Sequence, residues 1–208
     1  MAPKQEKLLI NAYPLALSNM FIFGIAYHHT GDSSPDPQFI KVDNYHMAKK
    51  FPKSKLGYYV GYHYFIGKDG TIKQARSEDE RGAHVVNCGC GKDKSGLPAD
   101  TANFHYIGIC LAGDLRKEQP SSRQLSALVA LTKDVMRRHS LNEANLLNHS
   151  DFKATSCPGI DLSGEVKKIL DLERRISMAE SALDRVIPER RNKLLRFIER
   201  ARRILFPT

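Results

Sequence analysis

Two apolar runs constrain this chain more than anything else in it. Phe21-Ile-Phe-Gly-Ile-Ala-Tyr27 and His105-Tyr-Ile-Gly-Ile-Cys-Leu-Ala112 carry no acidic or basic side chain apart from one histidine, and they are rich in β-branched and aromatic residues. A strand with one wet face alternates apolar and polar residues. One that does not alternate is covered on both faces, as central strands of helix-flanked sheets are. Each run is therefore expected as a buried strand. The first opens into His28-His29-Thr30-Gly31-Asp32. That places His28 at the carboxyl end of a strand, where such sheets build their sites.

The remaining elements follow from spacing. Ser33-Ser-Pro-Asp-Pro37 is a turn and helix-start signal. Phe39 to Phe51 has helical periodicity, with Ile40, Met47 and Phe51 expected inward. Tyr58 to Gly67, the turn Lys68-Asp69-Gly70 and the return Thr71 to Ala75 read as a β-hairpin. Residues 77–103 form a long polar loop, of a length that is usually functional or mobile. Ser121-Ser-Arg-Gln124 matches a capping box. It opens a helix whose Leu125, Leu128, Val129, Thr132, Val135 and Met136 share one face. From Leu162 through Val166, Ile169, Ile176, Ala179, Leu183 and Val186 runs a long amphipathic helix. Pro188 ends or restarts it, and Leu194, Leu195, Ile198, Ala201 and Leu205 mark another. Residues 1–20 are expected to wrap the surface. A boundary near residue 160 separates a first domain, 1–160, from a basic helical extension, 161–208.

Charge bears on the extension. The 208-residue chain carries a formal net charge of +9, and residues 173–208 hold ten Lys and Arg against five Asp and Glu. Three readings stay open for it: a helix packing its apolar stripe, contact with an anionic membrane or wall polymer, and, least favoured, a nucleic-acid arm. The four cysteines, Cys88, Cys90, Cys110 and Cys157, are too few and too awkwardly spaced for a disulfide scaffold. They fit a reducing compartment. Leu8 to Ala26 is broken by Asn11, Pro14, Ser18 and Asn19 and lacks a cleavage site, so synthesis in the cytoplasm without a signal peptide is expected.

The chemistry concentrates in Asn148-His-Ser-Asp-Phe-Lys-Ala-Thr-Ser-Cys-Pro-Gly159, where an imidazole and a thiol stand eight residues apart. Both donors suit zinc, and His28 upstream supplies a third candidate. His29, on the other side of the strand end, is expected to pack or hydrogen-bond. Tyr62 and His63 alternate along their expected strand, so only one of them can face the site. Cys110 reads as a small core residue. Cys88 and Cys90 make a poor bite for a second metal.

Taken in order, Ile25-Ala-Tyr-His28-His-Thr-Gly, Gly61-Tyr62-His63-Tyr-Phe-Ile-Gly-Lys-Asp-Gly70, Arg81-Gly-Ala-His84, Tyr106-Ile-Gly-Ile-Cys-Leu-Ala-Gly113 and His149-x7-Cys157-Pro-Gly resemble the zinc-dependent N-acetylmuramoyl-L-alanine amidases. That group contains phage lysozyme-type amidases and the peptidoglycan recognition proteins, and the resemblance covers roughly residues 20–162. It implies a mixed central β-sheet flanked by helices, followed here by the helical extension. It implies Zn2+ held by His28, His149 and Cys157, with a fourth position left for water, whose pKa the ion would lower to about 7. Tyr62 matches the catalytic tyrosine, so it is the one assigned to face the site, with His63 buried and paired. Thr155 stands where the phage enzymes carry lysine and the catalytic recognition proteins carry threonine. Lys153 and His84 are assigned to the substrate side; a structural role is the alternative for His84, and a solvated loop position or assistance to Thr155 the alternatives for Lys153. The implied activity is hydrolysis of the N-acetylmuramoyl–L-alanine amide of bacterial peptidoglycan, as a wall-degrading, bacteriolytic endolysin. The alternatives are a recognition module that binds peptidoglycan without cutting it, and a cytosolic amidase recycling muropeptides. Non-catalytic relatives typically lose the cysteine ligand, and the recycling enzymes place aspartate there.

Overall fold

The structure, a computed structural model, describes residues 21–34, 38–85, 102–183, 195–201 and 203. Among these, five strands form one mixed sheet in the order β3-β2-β4-β1-β5. β1 (Gly24–His29) and β4 (Tyr106–Leu111) pair in parallel at its centre, every residue buried. They correspond to the two charge-free runs. β5 (Leu146–Asn148) lies parallel on the far side of β1, and β2 (Tyr64–Ile66) parallel beside β4. The edge strand β3 (Ile72–Gln74) returns antiparallel to β2. Of the expected hairpin, only its inner half is regular strand; residues 58–60 carry no regular structure and residues 61–63 bend.

Helices cover the sheet. From one face of the sheet, Ile25, Tyr27, Ile107, Ile109 and Leu111 pack with Leu128, Val129, Leu131 and Val135 of α3 (Ser122–His139). Each such side chain, fully buried, contributes about 1.5–3 kcal/mol. The capping box at the start of α3 is reciprocal: Ser121 Oγ accepts from Gln124 N–H while Gln124 Oε1 accepts from Ser121 N–H. The other face is smaller, with Ala26 and Tyr106 against Val85, Ala102 at the start of the short helix α2 (Ala102–His105), and Phe152 of α4 (His149–Phe152).

α5 (Leu162–Leu183) begins on Asp161, whose Oδ1 accepts from Gly164 N–H at 2.8 Å. Its Leu162 and Val166 belong to the main core, with Ile169 and Leu170 beside them. The helix expected to open an extension thus starts as part of the packed body. Residues 195–201 are helical as well. Residues 1–20, Cys88, Cys90, Pro188, Leu205 and several tail cations (Arg190, Arg191, Lys193, Arg202) lie outside the described residues. Among the described residues, no helix is long and apolar enough to cross a membrane.

α1 (Phe39–Ala48) corrects an expectation. Ile40 and Met47 are exposed, and the buried residue is His46. The helix turns polar groups inward because it clamps a bare backbone segment: Asp43 Oδ1 accepts from Tyr59 and Val60 N–H, and His46 Nδ1 from Gly61 N–H. Periodicity of apolar residues does not register such a face.

The segment after β3 is tied down by charge. Glu78 accepts hydrogen bonds from Tyr64 Oη at 2.7 Å and from Arg138 at 2.6 Å, and pairs with His139 at 2.7 Å. Burial alone would raise this carboxyl, but these bonds outweigh it and hold it down at about 2. Its folded value lies below the unfolded one, so the stabilisation is fully present above about pH 4.5 and is lost as pH falls toward 2. Glu78→Gln is expected to cost about 2–3 kcal/mol at pH 7. Urea melts down the pH scale should show the two proteins converge near pH 2; a gap independent of pH would contradict the assignment.

Candidate active site

The parallel register assembles the site. β1 pairs Tyr27 with Asn148 of β5, so the residues that follow, His28 and His149, emerge side by side at the carboxyl edge. Their rings lie 4.5 Å apart between centroids. Asn148 fixes the exit of β5: its Nδ2 donates to Asp161 Oδ1, and its Oδ1 accepts from Ser163 N–H, tying the strand end to the start of α5. Cys157 arrives on the following loop. Gly159 lets that loop close, since it has φ +93° and a Cβ there would meet the Leu115 and Arg116 backbone within 2.6 Å. The thiol then accepts from His29 N–H at 3.5 Å and lies 3.8 Å from His28 Nδ1.

One ring nitrogen of His28, one of His149 and the Cys157 sulfur all lie within 4.8 Å of one another. Two further observations bear on whether a cation fits. Burial, the main cause, lowers both imidazoles below their usual value, His149 to about 4, so at neutral pH each offers a lone pair and not a charge. Among the described residues, His149 Nε2 is also the buried side-chain nitrogen or oxygen that lacks a hydrogen-bond partner. Burial raises the Cys157 thiol to about 11, and the His29 N–H and the Arg116 charge offset only part of that rise. The donor set, two neutral imidazoles and one borderline-soft sulfur, suits zinc.

Tyr62 closes one wall, its ring 5.0 Å from that of His28. Burial, then the neighbouring thiols of Cys110 and Cys157, push its phenol well above the ordinary value. It stays a hydrogen-bond donor throughout the neutral range. Thr155 Oγ1 accepts from Cys157 N–H at 3.3 Å, which leaves its own proton to donate. Lys153 is partly exposed beside His149 and, after burial, helps lower that imidazole.

Three other histidines have structural work. His29 Nδ1 accepts from Leu115 N–H at 2.9 Å. His63 Nδ1 accepts from Gly108 N–H, and its Nε2 donates to the Glu80 carbonyl. His84, which the sequence assigns to the substrate side, is buried behind His28, with Nδ1 3.0 Å from His28 Nε2 and Nε2 3.0 Å from the Tyr106 carbonyl. Both its ring nitrogens are engaged inside the protein, so it backs a candidate ligand and does not line the groove. Sequence reasoning left a structural role for His84 open beside the substrate one, but did not show its depth behind His28. The signal available was Gly82, two residues before it: a Cβ there would run into the His84 ring.

A family model described as N-acetylmuramoyl-L-alanine amidase matches residues 18–160. A peptidoglycan-recognition protein of Drosophila melanogaster is 31% identical over 124 residues, which is 59% of this chain and 57% of that protein. The chain thus spans little more than half the length of that relative. The endolysin of Enterobacteria phage K11 is 30% identical over 113 residues, 52% of this chain and 64% of the endolysin. The solved structure of the N-acetylmuramoyl-L-alanine amidase LysC from Clostridium intestinale URNW superposes with a TM-score of 0.58 at 30% identity, covering 77% of this chain and 91% of that one.

Proposed function

The chain belongs to the N-acetylmuramoyl-L-alanine amidase family, and from that premise we propose that it is a zinc hydrolase of peptidoglycan, cutting between the lactyl group of N-acetylmuramic acid and L-alanine in the manner of an endolysin. The observation that carries the reading is the meeting of His28, His149 and Cys157 donor atoms within 4.8 Å. Zinc held there would supply a Lewis acid for the scissile carbonyl and bring the pKa of a water down to about 7. The likeness to an endolysin and to an amidase with that very activity in its name supports the wall substrate over a soluble one.

The chain's own groups complete the chemistry. Tyr62, kept protonated by burial, donates its phenolic proton in a hydrogen bond to the oxyanion as negative charge builds there. Thr155, on the loop two residues before Cys157, adds a second, neutral donor. Neither supplies charge, so the cluster must carry most of the electrostatic stabilisation.

Purified sacculi digested with the zinc-loaded protein should release new L-alanine amino termini, and a chelator should stop the release. Sacculi that are retained but uncut would favour a recognition module, and cleavage that survives complete metal removal would sink the zinc mechanism. Tyr62→Phe should lower kcat by about 10²–10³-fold with zinc content unchanged. Loss of the metal in that variant would mean Tyr62 has a structural role instead.

A further inference from the structure

We propose that His84 is a positioning residue for the metal centre, fixing the tautomer and ring orientation of His28 through a two-imidazole relay that ends on the Tyr106 carbonyl. The inference rests on the zinc reading above and deepens it.

The polarity of the relay follows from its fixed end. A carbonyl oxygen only accepts, so the 3.0 Å contact to Tyr106 requires the proton on His84 Nε2. His84 is buried among His28, His63 and backbone, and among the described residues no carboxylate hydrogen-bonds it to hold a second proton. Its Nδ1 is then an acceptor. The partner across 3.0 Å, His28 Nε2, must be the donor. A neutral His28 protonated at Nε2 keeps its lone pair on Nδ1, the nitrogen 3.8 Å from Cys157 Sγ. The orientation of a backbone carbonyl on β4 thereby decides which nitrogen of a β1 histidine faces the cluster. Histidine ligands of zinc commonly donate their second N–H to such a partner, which holds the ring and raises its basicity.

The surroundings hold His84 in turn. Its backbone N–H and that of Val85 both donate to Asn103 Oδ1, and Asn103 Nδ2 donates back to the Val85 carbonyl. Gly82 and Gly108 leave the ring its space; a Cβ at Gly108 would stand 2.7 Å from two of its carbons. His63 packs edge-on at 5.6 Å between centroids.

The test measures zinc affinity by competition with a chromophoric chelator, apart from turnover. His84→Leu should weaken zinc binding about 10–100-fold. His84→Gln should recover most of the loss, because its amide oxygen can accept from His28 while its amide N–H donates to Tyr106. Wild-type affinity for His84→Leu would overturn the relay while leaving the zinc site intact. A wild-type protein that takes up no zinc would instead remove the reading beneath it. Should the leucine variant fail to fold, long-range 1H–15N spectra of the zinc-loaded wild type decide. Nε2–H at both His28 and His84 is the expected pattern, and Nδ1–H at either one overturns the proposal.

Discussion

Cys157→Ala should cut hydrolysis of sacculi by about a thousandfold or more, and strip most of the bound zinc, while barely moving the melting temperature of the metal-free protein. The fall corresponds to about 4 kcal/mol of lost transition-state stabilisation, the scale on which a Lewis acid contributes. Two imidazoles remain, His28 near the end of β1 and His149 at the start of α4, but without the sulfur the cluster has only two donors of like kind. The small stability effect follows from position. Cys157 is only half-buried, on a loop, and its contacts with His29 are long, at 3.5 Å to the N–H and 3.9 Å to the carbonyl. Removing it should cost the fold about 1 kcal/mol or less. Cys157→Ser makes the comparison sharper, since a hydroxyl keeps the volume but is a poor zinc donor. The three readouts are hydrolysis, metal content by atomic absorption, and thermal melting. A variant that keeps both its zinc and its activity would mean that His28 and His149 belong to some other centre.

The depth at which the sequence could be read differed from element to element, for physical reasons. β1 and β4 were plain because burial on both faces leaves an uninterrupted apolar run. The start of α3 was plain because a capping box is local: Ser121 and Gln124 need only each other. His28 could be placed from a strand end, whereas Tyr62, His149 and Cys157 needed the resemblance: residues 61–63 bend, so alternation does not select Tyr62, and an imidazole and a thiol eight residues apart say little alone. The inward face of α1 was not legible. What it contacts is the backbone of Tyr59, Val60 and Gly61, and binding a backbone calls for Asp43 and His46 where an apolar stripe was expected. Nor could spacing reveal the depth of His84, which depends on two glycines from separate segments emptying the same space. The start of α5 shows a third kind of gap. Its apolar spacing was visible, but whether that stripe met the body or faced outward is decided by Asn148 and Asp161 drawing the helix onto β5.

Gly108→Ala should destabilise the protein by about 3 kcal/mol, even though alanine ordinarily suits a strand interior better than glycine by roughly 0.5–1 kcal/mol. Gly108 lies in the middle of β4, fully surrounded, and its N–H already donates to His63 Nδ1 at 3.0 Å. An added methyl would sit 2.7 Å from His84 Cγ and Cδ2. The ring cannot swing aside, because Gly82 marks an equally tight approach and both ring nitrogens are bonded. Two costs combine: overpacking of about 1–3 kcal/mol, and exposure of the Tyr106 carbonyl and His28 Nε2 to a lost partner, of similar size. For a chain of this length the melting temperature should fall by about 6–12 °C. Zinc affinity should fall with it, since the displaced ring no longer orients His28. A double-mutant cycle separates the collision from any general intolerance of β4. In a His84→Ala background the space is empty, so the same methyl should cost far less, with a coupling of about 1–3 kcal/mol. An equal cost in both backgrounds would mean that the glycine is not there to make room for the imidazole, and that the ring's position is held by its hydrogen bonds alone.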